Sequence, residues 1–280
     1  MIVVTGATGN VGVPLVGALA AAGEQVTAVS RGSADAVPIG VRHRQADLTE
    51  PDSLGAAVEG AEALFLLVSG EVLAADVSPS RILDVARAGG VRRVVLLSSQ
   101  VAGTRPDSPS HAGLRAFETA VKGSGMEWTV LRPAGFASNA FAWVETVRSH
   151  RRVAAPFGDV GLPDVDPADL AEAAAVVLRE AGHAGRTYVL TGPAPVSPRQ
   201  RSAAIGQALG EPVGFAAQSR DEARAQMLRF MPAPVVDGTL DVLGAPTPVE
   251  QQVSPDLEGI LGRPPRTFAE WAARNVDAFR

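Results

Sequence analysis

The sequence predicts a doubly wound α/β fold, a mostly parallel sheet with helices on both faces, followed by a smaller C-terminal lobe. Short apolar, β-branched runs alternate with helix-length segments through the first half of the chain, and a glycine-rich turn separates the first run from the first helix. Parallel neighbours need a crossover between them, so this alternation implies parallel pairing. The length of 280 residues, with 46% hydrophobic and 20% charged side chains, suffices for one large core.

The elements follow in order. Ile2 to Thr5 is an apolar run suited to a strand buried on both faces. Gly6-Ala7-Thr8-Gly9-Asn10-Val11-Gly12 comes next, then an apolar helix from Val13 to Ala22 that Gly23 can end in a left-handed cap. Pro14 fits there because the first turn would leave its missing N–H unpaired anyway. Residues 25–30 read as the second strand, 51–58 as a helix after Asp47-Leu48-Thr49, and 63–68 as the third strand. A helix over 80–88 closes at Gly89-Gly90, with a strand over 94–97, a helix over 111–123 and a strand over 128–131 behind it.

Past Ala140 the alternation loosens. Asp166 as N-cap, Pro167 at the first helical position and Asp169 in the first turn open a helix reaching Ala181. Residues 186–191 read as a strand placed to rejoin the sheet, and Ser197-Pro198 opens a helix to Leu209. The expected division is a nucleotide-type domain over 1–150 and a smaller mixed lobe over 151–280, which a helix bearing Phe268, Trp271 and Phe279 docks to close.

Composition excludes several classes of function. A net charge of -5 and a pI near 5.5 leave no surplus of cations for phosphate backbones, so nucleic acid is not expected as a primary ligand. The absence of cysteine removes disulfides, thiolate nucleophiles and cysteine metal sites. His43, His150 and His183 are scattered without partners at ligand spacing, which predicts surface residues and no metal. There is no His-Glu-x-x-His, no Gly-x-Ser-x-Gly and no Walker lysine. No apolar run of about 18 residues is present to span a membrane, and the N-terminus lacks the features of a signal peptide. A cytoplasmic monomer or homodimer acting on a small molecule is the expectation.

A strand, a tight glycine turn and a helix N-terminus together make an anion site, because unpaired N–H groups and the helix dipole face the same point. The pattern here is Gly6-x-x-Gly9-x-x-Gly12 rather than Gly-x-Gly-x-x-Gly, yet its place directly after the first strand indicates a dinucleotide pyrophosphate. A purely structural turn is the alternative. In this fold an acid at the end of the second strand takes the ribose hydroxyls, whereas an arginine accommodates a 2′-phosphate. The chain has Ser30-Arg31 there and no acid before Asp35, which favours NADP(H) over NAD(H). Arg42 and Arg44 could extend the positive patch, and an ordinary surface arginine is the competing reading of Arg31.

The residues Val4 to Gly12, Ala46-Asp47-Leu48, Leu97-Ser98-Ser99, Trp128-Thr129-Val130-Leu131-Arg132-Pro133 with Phe136 and Asn139, Asp166 to Asp169, and Tyr188 to Pro193 resemble one family. It is the NmrA-like branch of the atypical short-chain dehydrogenases/reductases, which includes NADPH-dependent quinone reductases and azoreductase-like proteins. The resemblance covers most of the chain and is specific for Rossmann fold and cofactor, less so for substrate. It implies that Thr8, Asn10 and Val11 line the pyrophosphate turn, that Ser30 and Arg31 hold the adenosine phosphate, and that Asp47 and Leu48 flank the adenine. Leu67, Val68, Ser69 and Ser98 would border the nicotinamide ribose, with Pro133 near the nicotinamide.

Many short-chain dehydrogenases donate a proton from a Tyr-x-x-x-Lys pair, the lysine lowering the tyrosine pKa. This chain has one lysine, Lys122, and one tyrosine, Tyr188, in separate predicted elements. The expected helix offers His111-x-x-x-Arg115 instead, about one turn apart and able to share a face. His111 is the candidate proton donor and Arg115 the candidate anion or cofactor anchor, solvated helix decoration being the alternative for both. Phe136, Asn139 and Phe141 are the candidate substrate-facing residues; flat apolar acceptors would stack on such rings, and core packing explains the aromatics equally well.

These readings combine as an NADPH-dependent oxidoreductase passing hydride to a small apolar acceptor, a quinone, an enone or a specialised metabolite. A quinone-like acceptor yields a stabilised anion that can take its proton from water. The alternatives are a non-catalytic NADP(H)-binding redox sensor and an isomerase- or dehydratase-type enzyme on the same fold.

Overall fold

The computed structural model describes residues 1–33, 37–75 and 77–280. Seven parallel strands form one sheet, in the order β3 (Arg42–Gln45), β2 (Val26–Ser30), β1 (Ile2–Thr5), β4 (Ala63–Leu67), β5 (Arg93–Leu97), β6 (Glu127–Pro133) and β8 (Arg186–Leu190). The order reverses between β1 and β4, and ligands of such sheets bind outside the strand ends at that point.

The apolar strands are buried on both faces, and their period of two divides the core. Val4, Phe65, Val95 and Leu97 point to one layer, packed by the helices Gly12–Ala21, Pro167–Arg179 and Asp256–Leu261. Val3, Leu64, Leu66, Val94 and Leu96 point to the other, packed by Pro79–Ala88 and Ala112–Gly123. Helix Pro167–Arg179 opens as its residues require, with the Asp166 side chain accepting from Ala168 N at 2.9 Å. Asp169 does more than favour the dipole: fully buried, it accepts from Arg266 N at 2.6 Å and pairs with the guanidinium groups of Arg263 and Arg266, fastening the C-terminal segment to the sheet layer.

A second, two-stranded parallel sheet, β7 (Arg152–Pro156) with β9 (Gly214–Gln218), lies outside the main sheet. Its cluster takes in Ile205 of the helix Pro198–Leu209 and the rings of Phe268, Trp271 and Phe279. The chain crosses between the layers more than once. Residues 152–156 already belong to the small sheet, whereas Pro167–Arg179 and Arg186–Leu190 return to the large one. We therefore propose that the smaller lobe is interrupted by these two elements rather than continuous from residue 151.

Candidate cofactor and active site

The turn after β1 is built by close backbone approach. Gly6 takes φ +63°, Gly9 N donates to Gly6 O at 3.0 Å, and the helix starts at Gly12. A Cβ on Gly12 would lie 2.7 Å from Ala7 Cα and closer still to the Gly6 carbonyl oxygen, so the helix can begin this near to β1 only without a side chain there. Among the described residues the N–H groups of Thr8, Asn10, Val11 and Gly12 make no backbone hydrogen bond, although Val11 and Gly12 are buried. Four free donors at a helix N-terminus suit a pyrophosphate. Asn10 Nδ2 donates to Ser138 Oγ at 3.3 Å, tying the turn to the segment beyond β6.

Ser30 ends β2 beside this turn, and Arg31 follows it. Ser30 is buried with its Oγ 2.9 Å from His43 Nε2, so His43, expected among the scattered surface histidines, is a half-buried neighbour of the candidate phosphate site. The exposed Arg31 side chain pairs with Glu71 of the helix Gly70–Ala74, and Gln45 Nε2 donates to Arg31 O at 2.8 Å. Arg42 lies instead against Met1 Sδ at 3.9 Å, by the start of β1. Asp47 is half-buried, its carboxylate accepting from Thr49 N at 2.9 Å; that bond, and more weakly the Arg31 charge, hold its pKa below the ordinary value. Leu48 is buried in the second core layer, and Asp35 lies outside the described residues.

Across the switch point, Thr5 Oγ1 donates to Phe65 O and Leu67 O, both at 3.1 Å, while Leu67 N donates back at 2.9 Å. This pins the end of β4 to that of β1, with the Leu67 side chain against Gly6. Val68 is buried, and Ser69 caps the helix Gly70–Ala74 by accepting from Val72 N. At the end of β5 the buried Ser98 donates to Glu118 Oε1 at 2.7 Å, and Gln100 N donates to Pro133 O at 2.8 Å. Pro133 ends β6 opposite Leu190. The candidate cofactor residues thus lie along the carboxyl ends of β1, β2, β4, β5 and β6, with Asp47 and Leu48 just beyond β3.

His111 closes a short 3₁₀ turn, Pro109–His111, immediately before the helix Ala112–Gly123. Its Nδ1 lies 2.8 Å from Ser110 Oγ, which is 2.9 Å from Ser108 Oγ. Burial first and the Arg115 charge second push its pKa below 6.5, against a weaker pull from Glu250. The Arg115 guanidinium donates to Ser108 O at 2.7 Å and Arg105 O at 3.5 Å, bracing the loop that carries His111. The lobe helix Ala233–Gly244 packs over this turn, where a Cβ on Gly238 would strike Ser110. Phe136 packs on the first core layer and Asn139 is exposed. The Phe141 ring, 37% exposed, lies 5.0 Å from the Trp271 ring and 6.1 Å from that of Phe279.

The NAD(P)H-binding family model matches residues 6–181, from the glycine turn to just past the helix Pro167–Arg179. This chain belongs to the NAD(P)H-binding family. The (4-alkanoyl-5-oxo-2,5-dihydrofuran-3-yl)methyl phosphate reductase of Streptomyces griseus is 35% identical to it, covering 100% of this chain and 99% of that protein. The NAD(P)H azoreductase of Xenophilus azovorans is 31% identical over 100% and 99% of the two chains. The crystal structure of an NADPH-dependent quinone oxidoreductase of Escherichia coli, complexed with NADPH, superimposes with a TM-score of 0.82 at 28% identity over 98% and 99%. These likenesses agree with an NmrA-like, atypical short-chain dehydrogenase/reductase with a Rossmann fold. Among the described residues, no helix of this family member is long and apolar enough to cross a membrane.

Sequence spacing did not point to Glu71, His43 or Ser138 as neighbours of the site, since each meets its partner through strand order or loop return. Lys122 Nζ sits 3.3 Å from Glu118 and Tyr188 Oη 2.9 Å from His183 Nδ1, in separate elements.

Proposed function

We propose that this chain is an NADPH-dependent reductase of conjugated, largely apolar acceptors of the quinone or enone class. The observation that carries the reading is the pairing of four free N–H donors at the glycine turn with Ser30 and Arg31 at the neighbouring strand end. When bound, NADPH supplies a hydride to a conjugated acceptor. With the cofactor bound, the residues of the turn would hold pyrophosphate oxygens and Arg31 the 2′-phosphate, with Ser98 and Pro133, at the ends of β5 and β6, bordering the nicotinamide end. Two features support a conjugated acceptor. The one lysine, Lys122, and the one tyrosine, Tyr188, do not stand in Tyr-x-x-x-Lys spacing, which favours an acceptor that needs no such donor. The Streptomyces griseus relative is named for an acylated 5-oxo-2,5-dihydrofuran, an alkene conjugated to carbonyl groups.

Arg31→Ala should weaken NADPH by on the order of 10- to 100-fold, the worth of one or two charge-assisted hydrogen bonds, and leave NADH almost unchanged. Parallel calorimetric titrations test this; equal weakening of both nucleotides removes the 2′-phosphate assignment.

In this reading His111 holds the proton that quenches the anion left on a reduced enone. An acid must be protonated to donate, and burial puts His111 below its ordinary 6.5. Turnover of an enone should therefore fall as pH rises through that lowered value. His111→Ala should flatten the limb, costing on the order of 10²-fold at the acid end and far less above neutrality, with NADPH affinity unchanged. Identical pH profiles for the two proteins would assign the proton to water. Acceptor turnover without net cofactor oxidation would favour the isomerase-type alternative, and cofactor binding with no turnover the sensor.

A further inference from the structure

Arg31 and Glu71 stand on opposite sides of the glycine turn. Arg31 follows β2 and Glu71 lies in the helix that follows β4, and in the sheet β2 and β4 flank β1, whose end carries the turn. Forty positions separate the residues, yet their side chains form an ion pair. Both are more than half exposed, so the pair is free to open. Asp47 adds a second carboxylate near the same guanidinium. The candidate ligand for a 2′-phosphate is thus already partnered by a carboxylate of this chain.

We infer that Glu71 competes with the 2′-phosphate of the cofactor for Arg31 and thereby sets the margin by which this site prefers NADP(H) to NAD(H). The inference rests on the reading of Arg31 given above. Glu71 occupies Nη1 of Arg31, which an end-on two-pronged contact to a phosphate needs, and a phosphomonoester, with more charge and one more oxygen than a carboxylate, wins that group. The exchange still costs the original pair. An exposed ion pair shifts an equilibrium by a factor of about 1.5 to 5, so NADPH binds that much more weakly than it would to an unpaired Arg31. NADH has no group to claim Arg31, leaves the pair standing and bears no such cost. Glu71 therefore narrows the preference instead of creating it.

Glu71→Gln keeps the size of the side chain and removes its charge. Measured by titration with NADPH and NADH at one ionic strength, this variant should bind NADPH about 1.5- to fivefold more tightly and NADH as before. In an Arg31→Ala background the same substitution should change neither affinity. Unchanged or weakened NADPH binding in Glu71→Gln would overturn the inference, as would an equal gain for NADH, which would make the pair a general bar to the nucleotide. A gain that persists without Arg31 would overturn it too. The parent reading fails separately: if Arg31→Ala weakens both nucleotides alike, the 2′-phosphate assignment goes and the competition with it. Selective loss in Arg31→Ala, with no gain in Glu71→Gln, removes the competition alone. Thermal midpoints of the exposed variants check that each remains folded.

Discussion

Glu118→Ala lowers the unfolding free energy by about 3 kcal/mol, at the low end of what breaking a buried ion pair costs. The carboxylate is 3% exposed and accepts from Ser98 Oγ at 2.7 Å, Arg132 Nε at 2.9 Å, Arg132 Nη2 at 2.6 Å and Lys122 Nζ at 3.3 Å. Its removal leaves the Arg132 guanidinium facing a void, and the low-end figure applies because that side chain keeps 23% of its surface in water. Urea unfolding should show a lower midpoint with an unchanged slope. Glu118→Gln retains an acceptor oxygen and should lose less, and a loss below about 1 kcal/mol in the alanine variant would show that the cluster is solvated.

The same groups set the acid limit of stability. Although burial opposes it, hydrogen bonds from Arg132 and Ser98 hold Glu118 below 4.5. Glu250, which joins its own short helix to Arg105, Thr104 and Thr247 N, is lowered to about 2 against the same opposing burial. A carboxylate lowered in the folded state contributes stability in full above its unfolded value near 4.5, and loses it as pH falls through the folded one. Stability should fall between about pH 4.5 and 2, and Glu118→Ala should shed part of that dependence.

The sheet was legible wherever burial on both faces demanded unbroken apolar runs: β1, β4 and β5 begin and end within one or two residues of the predicted bounds. β3 was not, because Arg-His-Arg-Gln is a solvated edge whose pairing depends on β2 rather than on its own side chains. β7 and β9 escaped for a related reason. Each is a short segment around an Ala-Ala pair, without an apolar run of its own, that becomes a strand only against the other, across about sixty intervening positions. The pyrophosphate turn and Ser30-Arg31 could be read from order along the chain, since one strand, one turn and one helix place them. What opposes Arg31 could not, because Glu71 arrives through the strand order β2-β1-β4.

Gly12→Ala should reduce NADPH affinity by at least about 100-fold, roughly 2.7 kcal/mol. The new methyl would meet the Gly6 carbonyl oxygen and stand 2.7 Å from Ala7 Cα, atoms of a backbone that Thr5 and Gly9 already hold. No rotamer can relieve the clash, so the helix start must move away from β1, at an overpacking cost of about 1–3 kcal/mol. The movement displaces the free N–H groups of Thr8, Asn10 and Val11 relative to the end of β1, and binding loses more than folding does. Gly17 supplies the internal control. It lies in the same helix with nothing within 4 Å of a Cβ, so Gly17→Ala should leave affinity unchanged and raise stability by up to about 1 kcal/mol. If Gly12→Ala bound NADPH like the parent protein, the cofactor could not lie on this turn, however well the rest of the sheet is formed.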